Sequence, residues 1–162
     1  MRPHVLLIDD EEHFRGSIDG AFGLRGISLD VAEDWESGLA LFQVCAHELV
    51  IADYNLPPSP KNGVMLLAEA KAHRPASQLV LISGVLSTAA ADILGQVALI
   101  DAYFPKGPDV ADRLLEMARD AVERANAPTD WAQSAQAYLE KVRMDPADVE
   151  RMDHALRAGM RG

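Results

Sequence analysis

Several features are scarce in this chain of 162 residues. Its single cysteine, Cys45, excludes an internal disulfide and fits a reducing, cytoplasmic compartment. No apolar run approaches the ~20 residues that a membrane-spanning helix needs, and no secretory signal is recognisable, so we expect no membrane partner. Basic residues are few, with 15 Lys and Arg against 25 Asp and Glu, a net charge of −10. Because nucleic-acid affinity depends on neutralising phosphates, this balance argues against a nucleic-acid partner.

A glycine-rich loop is also missing after the first apolar run. HVLLID (4–9) leads directly into further acidic residues. Both the dinucleotide-binding fingerprint and the P-loop need glycines at this point, where the backbone must approach a phosphate closely. The sequence therefore excludes both of these nucleotide-binding classes.

What the sequence does contain is a regular alternation of strand-like apolar runs and helical patterns. Strands are predicted at 4–9, 27–32, 48–52, 78–83 and 99–104, and helices at 12–25, 34–47, 62–74, 87–98 and 109–126. Asp34 and Asp109 are the predicted N-caps of two of these helices. Such an alternation predicts an α/β fold, a doubly wound, flavodoxin-like parallel sheet of five strands in the order 2-1-3-4-5.

The last residues of the chain follow a different pattern. Residues 1–125 form the predicted α/β domain, and 126–162 a C-terminal extension with two short helices at 131–144 and 147–158. About 36 residues cannot bury a core of their own. We therefore expect the extension to pack on the first domain, on another protomer or on a partner.

Polar residues stand where the predicted strands end. The first strand ends at Asp9 and Asp10, the third at Asp53, the fourth at Ser83 and the fifth at Lys106. In open α/β sheets, ligands bind at the carboxyl ends of the strands, beside the point where strand order reverses. In the order 2-1-3-4-5, strands one and three are neighbours there, so Asp10 and Asp53 face each other.

Crowded carboxylates repel one another and are costly to desolvate unless a cation joins them. Oxygen ligands suit Mg²⁺, and Lys106 and Ser83 suit phosphoryl oxygens. These groups together predict a site for a metal-bound phosphoryl group. Asp53 is the candidate phosphoryl acceptor, because Asp9 and Asp10 are better placed as metal ligands.

Four motifs in this arrangement resemble the receiver domain of bacterial two-component response regulators. They are LLIDDEE (6–12), VIADYNLP (50–57), LISG (81–84) and YFPKG (103–107), and the resemblance covers about residues 3–125. It implies that Asp53 accepts a phosphoryl group from a histidine kinase or a histidine phosphotransfer protein. It also implies that Asp9, Asp10 and the backbone carbonyl of Asn55 bind Mg²⁺.

The resemblance assigns further roles at the other strand ends. Lys106 and Ser83 would bind phosphoryl oxygens, and Ser83 and Tyr103 would form the conformational switch. Gly63 matches the small residue that opens the third helix. The chain would then act as a switch rather than an enzyme, with chemistry limited to its own phosphorylation and dephosphorylation.

Three outputs of this switch are expected. One is a homodimer, formed either through the surface at 87–98, 99–104 and 109–126 or through the C-terminal helices. Another is the release or docking of the C-terminal helices. The third is contact with protein partners, which would include transfer of the phosphoryl group to a histidine phosphotransfer protein.

The sequence departs from the family pattern at two places. Five residues separate Pro57 from Gly63, a longer loop than is usual beside the acceptor. Ser83 stands where threonine is commoner, which keeps the hydroxyl.

Three alternatives stay open at this point. The chain could be the receiver fragment of a DNA-binding transcriptional regulator. It could be a Mg²⁺-dependent phosphatase with an aspartyl nucleophile, although such enzymes carry Asp-x-Asp after strand one and this chain has DDEE. It could also be a receiver that only binds partners, which the complete set of chemical groups disfavours.

Overall fold

The apolar runs form the strands of one parallel sheet. A computed structural model describes residues 4–45, 47–84 and 98–127. The strands are β1 Val5–Ile8, β2 Leu29–Ala32, β3 Leu49–Asp53, β4 Gln78–Ser83 and β5 Ala102–Pro105. Their order is β2-β1-β3-β4-β5 with every pair parallel, which confirms the predicted α/β fold and strand order.

Four helices connect or follow these strands within the described residues. They are α1 Glu12–Gly23, α2 Trp35–Cys45, α3 Gly63–His73 and α4 Val110–Asn126. Residues 87–97 of the helix predicted at 87–98 and the two helices predicted in the C-terminal extension lie outside the described residues. The division into 1–125 and 126–162 remains a prediction. No helix in the described part of the chain is long and apolar enough to cross a membrane.

The two central strands are covered on both faces, which explains their continuous apolar runs. Side chains of β1 and β3 alternate between two core clusters, one containing residues of α2 and α3 and the other residues of α1 and α4. On the first side lie Leu6, Ile8, Val50 and Ala52; on the second lie Val5, Leu7, Leu49 and Ile51. All eight side chains are fully buried, so the ends of these strands are held rigidly.

Polar side chains mark the starts of three helices. The carboxylate of Asp34 accepts a 2.7 Å hydrogen bond from the Ser37 backbone N–H, confirming the predicted cap, and hydrogen bonds from Ser37 lower the pKa of Asp34. Asn62, which was not predicted as a cap, accepts from the N–H of Met65 at the start of α3. Asp109 directly precedes α4, and its carboxylate pairs with Arg113 Nε at 2.8 Å.

A glycine allows α3 to begin against the end of β3. The N–H of Gly63 donates a 2.9 Å hydrogen bond to the carbonyl of Tyr54. A Cβ atom at position 63 would overlap the backbone carbonyl oxygen of Asp53, which cannot move without disturbing the strand end. Gly63 is therefore required by close backbone approach, a stricter reason than the small size noted from the sequence.

We predict that Gly63→Ala lowers the free energy of unfolding by roughly 1–3 kcal/mol, because the added methyl group overpacks this contact. The matched control is Gly20→Ala in α1, where a Cβ meets nothing within 4 Å. That change should stabilise the protein by about 0.5–1 kcal/mol, since alanine favours a helix interior. Urea unfolding of both variants measures the difference, and an equal effect of the two substitutions would contradict the prediction.

Candidate functional site

The register of the central strands brings acidic side chains together. Ile8 of β1 pairs with Ala52 of β3, so the next residues, Asp9 and Asp53, lie side by side at the carboxyl edge of the sheet. Carboxylate oxygens of Asp9, Asp10 and Asp53 all lie within 4.8 Å of one another. The structure thus brings together the three carboxylates that the sequence analysis placed at the switch point.

Lys106 joins this cluster from the last strand. Ser83 of β4 pairs with Pro105 of β5, and the Lys106 backbone N–H donates a 2.9 Å hydrogen bond to the Ser83 carbonyl. Its Nζ lies 2.8 Å from Asp9 Oδ2 and 3.0 Å from Asp53 Oδ2. A third carboxylate oxygen, Glu11 Oε1, lies 3.3 Å away. One ammonium group therefore contacts three carboxylates.

Burial differs across the cluster. The side chain of Asp9 is fully buried, and those of Asp53 and Lys106 are 6% and 10% exposed. Asp10 and Glu11 are exposed, so the site opens to solvent on their side. Four carboxylates against one ammonium group leave an excess negative charge at the opening, where an approaching cation or a phosphoryl group with its cation can reach it.

Burial and repulsion shift the protonation equilibria of the inner groups. Burial, with the nearby charge of Asp9, raises the pKa of Asp53 to about 6 despite its hydrogen bond to Lys106. Burial likewise raises the pKa of Asp9. Burial acts to lower the pKa of Lys106, but its hydrogen bonds to Asp9 and Asp53 outweigh burial and raise it, so Lys106 stays charged. The site thus contains two buried carboxylates that repel each other and one ammonium group that stays charged between them.

The remaining predicted residues surround this cluster. The Asn55 backbone forms a hydrogen bond to the Asp53 carboxylate that lowers its pKa. Ser83 ends β4 and is 1% exposed. Tyr103, in register with Leu81, packs partly buried against the α2 and α3 side of the core. Its hydroxyl is buried and has no hydrogen-bond partner among the described residues.

Two residues at the site were not predicted from the sequence. The Phe14 ring lies under Lys106, with Nζ 4.6 Å from its centroid, a cation–π contact. Arg15 Nη1 donates a 2.7 Å hydrogen bond to the carbonyl of Asp9. Both lie in the first turn of α1, which begins directly after the acidic strand end. An aromatic residue at helical spacing is ordinarily a core residue, so the contact of Phe14 with Lys106 becomes evident only once the position of α1 is known.

The three clustered carboxylates fit a hard divalent cation. They offer only oxygen donors, which Mg²⁺ prefers. Two of them, Asp9 and Asp53, are buried, so water screens their charges poorly. Lys106 balances part of their charge, and the exposed carboxylate of Asp10 faces the open side. A cation at this position would relieve repulsion that the protein alone does not remove.

Comparisons with known proteins agree with this geometry. The chain is 31% identical to the receiver domain of NtrX from Brucella abortus, with a TM-score of 0.63, and covers 98% of that structure and 74% of its own length. Among curated proteins it is 29% identical over 103 residues to the sensor histidine kinase AtsR of Burkholderia thailandensis (64% of this chain). It is 27% identical over 79 residues to the regulatory protein AtoC of Escherichia coli (49% of this chain). The matches span 17% of the length of each curated relative. No protein-family model matches the chain.

The raised pKa of Asp53 predicts that the metal-free protein becomes more stable on mild acidification. The folded state holds this proton more tightly than the unfolded state, so stability rises as pH falls through about 6 toward the ordinary value of 3.8. Between pH 7 and pH 5 the gain from this group should be roughly 1–1.5 kcal/mol. Urea unfolding in EDTA at the two pH values measures it.

The variant Asp53→Asn isolates this contribution, because it keeps the shape of the side chain and removes the charge. It should be more stable than the parent protein at pH 7 and should lose this part of the pH dependence. Asp19→Asn, at an exposed position on α1, is the matched control and should keep the parent slope. An unchanged slope in Asp53→Asn would show that Asp53 has an ordinary pKa.

Proposed function

Because this chain belongs to the response regulator receiver domains, we propose that it is a phosphorylation switch with Asp53 as the phosphoryl acceptor. The donor would be a histidine kinase or a histidine phosphotransfer protein. The observation that carries the proposal is the position of the Asp53 carboxylate, 3.0 Å from Lys106 Nζ and beside Asp9 and Asp10 at the sheet's switch point.

The reaction needs an ionised, accessible oxygen on Asp53. That oxygen attacks phosphorus, a new oxygen–phosphorus bond forms, and the bond from phosphorus to the donor nitrogen breaks with its electrons leaving on the imidazole. The product is an acyl phosphate on Asp53. Since the pKa of Asp53 is about 6, the carboxylate is the major form at neutral pH. Lys106, anchored by the carboxylate of Asp9, would hold a phosphoryl oxygen beside the acceptor.

Asp9, Asp10 and the Asn55 backbone carbonyl are the residues that would hold Mg²⁺. When bound there, the ion would neutralise charge on the transferring phosphoryl group. The fully buried carboxylate of Asp9 is fixed from two sides, by the Glu11 backbone N–H at 2.8 Å and by Lys106. Its orientation would therefore be set before any cation binds.

Ser83 and Tyr103 are proposed as the groups that transmit phosphorylation. Ser83 is buried beside the Lys106 backbone, within the part of the sheet that borders the acceptor. Tyr103 lies on the neighbouring strand β5, two residues before Pro105, the residue that pairs with Ser83. The hydroxyl of Tyr103 is buried. A hydroxyl drawn toward the phosphoryl group would change the packing near Tyr103 and, with it, the surface of β5 and α4. That surface is the proposed contact for a second protomer or another protein.

We predict a single phosphoryl adduct on Asp53. The full chain is incubated with acetyl phosphate, with and without Mg²⁺, and its intact mass is measured before and after treatment with hydroxylamine. One Mg²⁺-dependent, hydroxylamine-labile adduct is expected in the parent protein and none in Asp53→Ala.

Two further variants sharpen this experiment. Asp19→Ala removes an exposed carboxylate away from the site and should be phosphorylated like the parent. Asp10→Asn should require a higher Mg²⁺ concentration, because it removes a proposed ligand but leaves the acceptor. No adduct in the parent at any Mg²⁺ concentration, or an adduct that persists in Asp53→Ala, would refute the acceptor assignment.

The switch is tested separately by Ser83→Ala, which we expect to be phosphorylated but not to change conformation. Amide hydrogen exchange of β5 and α4 is compared between phosphorylated and unmodified protein. The parent and Ser83→Thr, which keeps the hydroxyl, should show a change in exchange on phosphorylation, and Ser83→Ala should not. An equal change in all three proteins would mean that the hydroxyl transmits nothing.

A further inference from the structure

A second cluster of ligating side chains lies at the other end of β3. It consists of Asp30 in β2, Cys45 at the end of α2 and His47, two residues before β3 begins. One ligand atom from each of these residues lies within 4.8 Å of the other two. Asp53 ends the same strand, so this cluster is separate from the acceptor site.

The imidazole of His47 is held firmly in this cluster. Its side chain is fully buried, and its Nε2 lies 2.7 Å from Asp30 Oδ2. The ring stacks on Phe42, with centroids 6.3 Å apart, and the backbone carbonyl of His47 accepts a 2.8 Å hydrogen bond from Ser77 Oγ. The direction of the ring is therefore fixed by packing and by the backbone. Such pre-orientation is what a buried metal ligand needs.

The other two ligands leave the cluster accessible. The Asp30 side chain is 27% exposed, and Cys45 is only partly buried. An ion can reach the cluster from solvent past these two residues, and water could occupy a fourth position. Two of the ligands are tied to the sheet: Asp30 belongs to β2, which pairs with β1, and His47 lies two residues before β3, which also pairs with β1.

We propose that Asp30, Cys45 and His47 form a binding site for a transition-metal ion of the Zn²⁺ class. Thiolate, imidazole and carboxylate are the three ligand types that Zn²⁺ combines in proteins. A thiolate and a carboxylate would balance the two positive charges. This set differs chemically from the all-oxygen cluster around Asp53, which suits Mg²⁺.

Binding requires a defined movement of protons. The Cys45 thiol releases its proton to solvent, and its sulfur lone pair forms the bond to the metal. His47 must present the lone pair of Nε2, so its proton resides on Nδ1 and the direct hydrogen bond to Asp30 is replaced by two metal–ligand bonds. Metal binding therefore releases one proton to solvent.

Co²⁺ is the probe that tests this site, because its bonds to thiolates absorb in the near ultraviolet. The full chain is stripped with EDTA, transferred to buffer with excess Mg²⁺ to occupy the oxygen cluster, and titrated with Co²⁺. Cys45 is the only cysteine in the sequence, so a thiolate–Co²⁺ band identifies it directly. We expect one equivalent of Co²⁺, a band that Zn²⁺ abolishes by displacement, and no band in Cys45→Ser.

The other ligands are tested with variants that should keep the fold. Asp30→Asn retains an oxygen that can accept a hydrogen bond from His47 and should weaken Co²⁺ binding at least tenfold. Asp53→Asn should leave binding unchanged, which separates this site from the proposed phosphoryl acceptor. Far-ultraviolet circular dichroism checks that each variant is folded. Absence of the band would overturn the proposal. Unchanged Co²⁺ affinity in Asp30→Asn would also overturn it, because the Cys45 thiolate would then bind Co²⁺ without Asp30.

Discussion

The contact of Lys106 with two buried carboxylates is the interaction on which the centre of this sheet depends. Asp9 and Asp53 end adjacent strands that are buried on both faces, so their side chains are forced together at one edge. Without a cation between them, the cost of desolvating both charges would oppose the strand register itself. Lys106, which directly follows β5, supplies that cation, and the Phe14 ring lies beneath it. The outer strand thereby stabilises the central ones.

This charge balance is incomplete, and the proposed function depends on the negative charge that Lys106 leaves uncompensated. One ammonium group cannot neutralise Asp9, Asp10, Glu11 and Asp53. Burial, together with the nearby charge of Asp9, raises the pKa of Asp53 to about 6. The ionised Asp53 carboxylate therefore lowers the stability of the metal-free protein at neutral pH. On the proposed function, a divalent cation and a phosphoryl group together complete the compensation. Folding and reactivity therefore depend on the same small group of charges.

The strands and their order could be predicted because burial on both faces leaves a continuous apolar run, and short crossovers leave few topologies. The acidic residues could be predicted as neighbours, because parallel strands end at the same edge. The supporting contacts of Phe14 and Arg15 could not, since they depend on the exact direction of α1. Sequence spacing likewise gave no sign that His47 lies beside Asp30 and Cys45, because Asp30 belongs to β2, which is distant from His47 in the sequence. The structure places the residues of the predicted acceptor site together, but the roles assigned to them remain predictions: Asp53 as acceptor, Asp9, Asp10 and Asn55 as Mg²⁺ ligands, Lys106 and Ser83 as phosphoryl-binding groups, and Ser83 and Tyr103 as the switch.

The two clusters on β3 differ in a way that bears on how they would coexist. At one end, oxygen donors and a lysine leave room for a hard cation; at the other, a thiol and an imidazole favour a softer one. If both clusters offered the same set of donors, one ion could occupy both sites and block the proposed phosphorylation. Among the described residues, the cluster around Asp53 offers a divalent ion only carboxylate oxygens, so a Zn²⁺-class ion would lack there the thiolate and imidazole that favour it over Mg²⁺. Ligand chemistry alone would then keep the two proposed sites independent along a single buried strand.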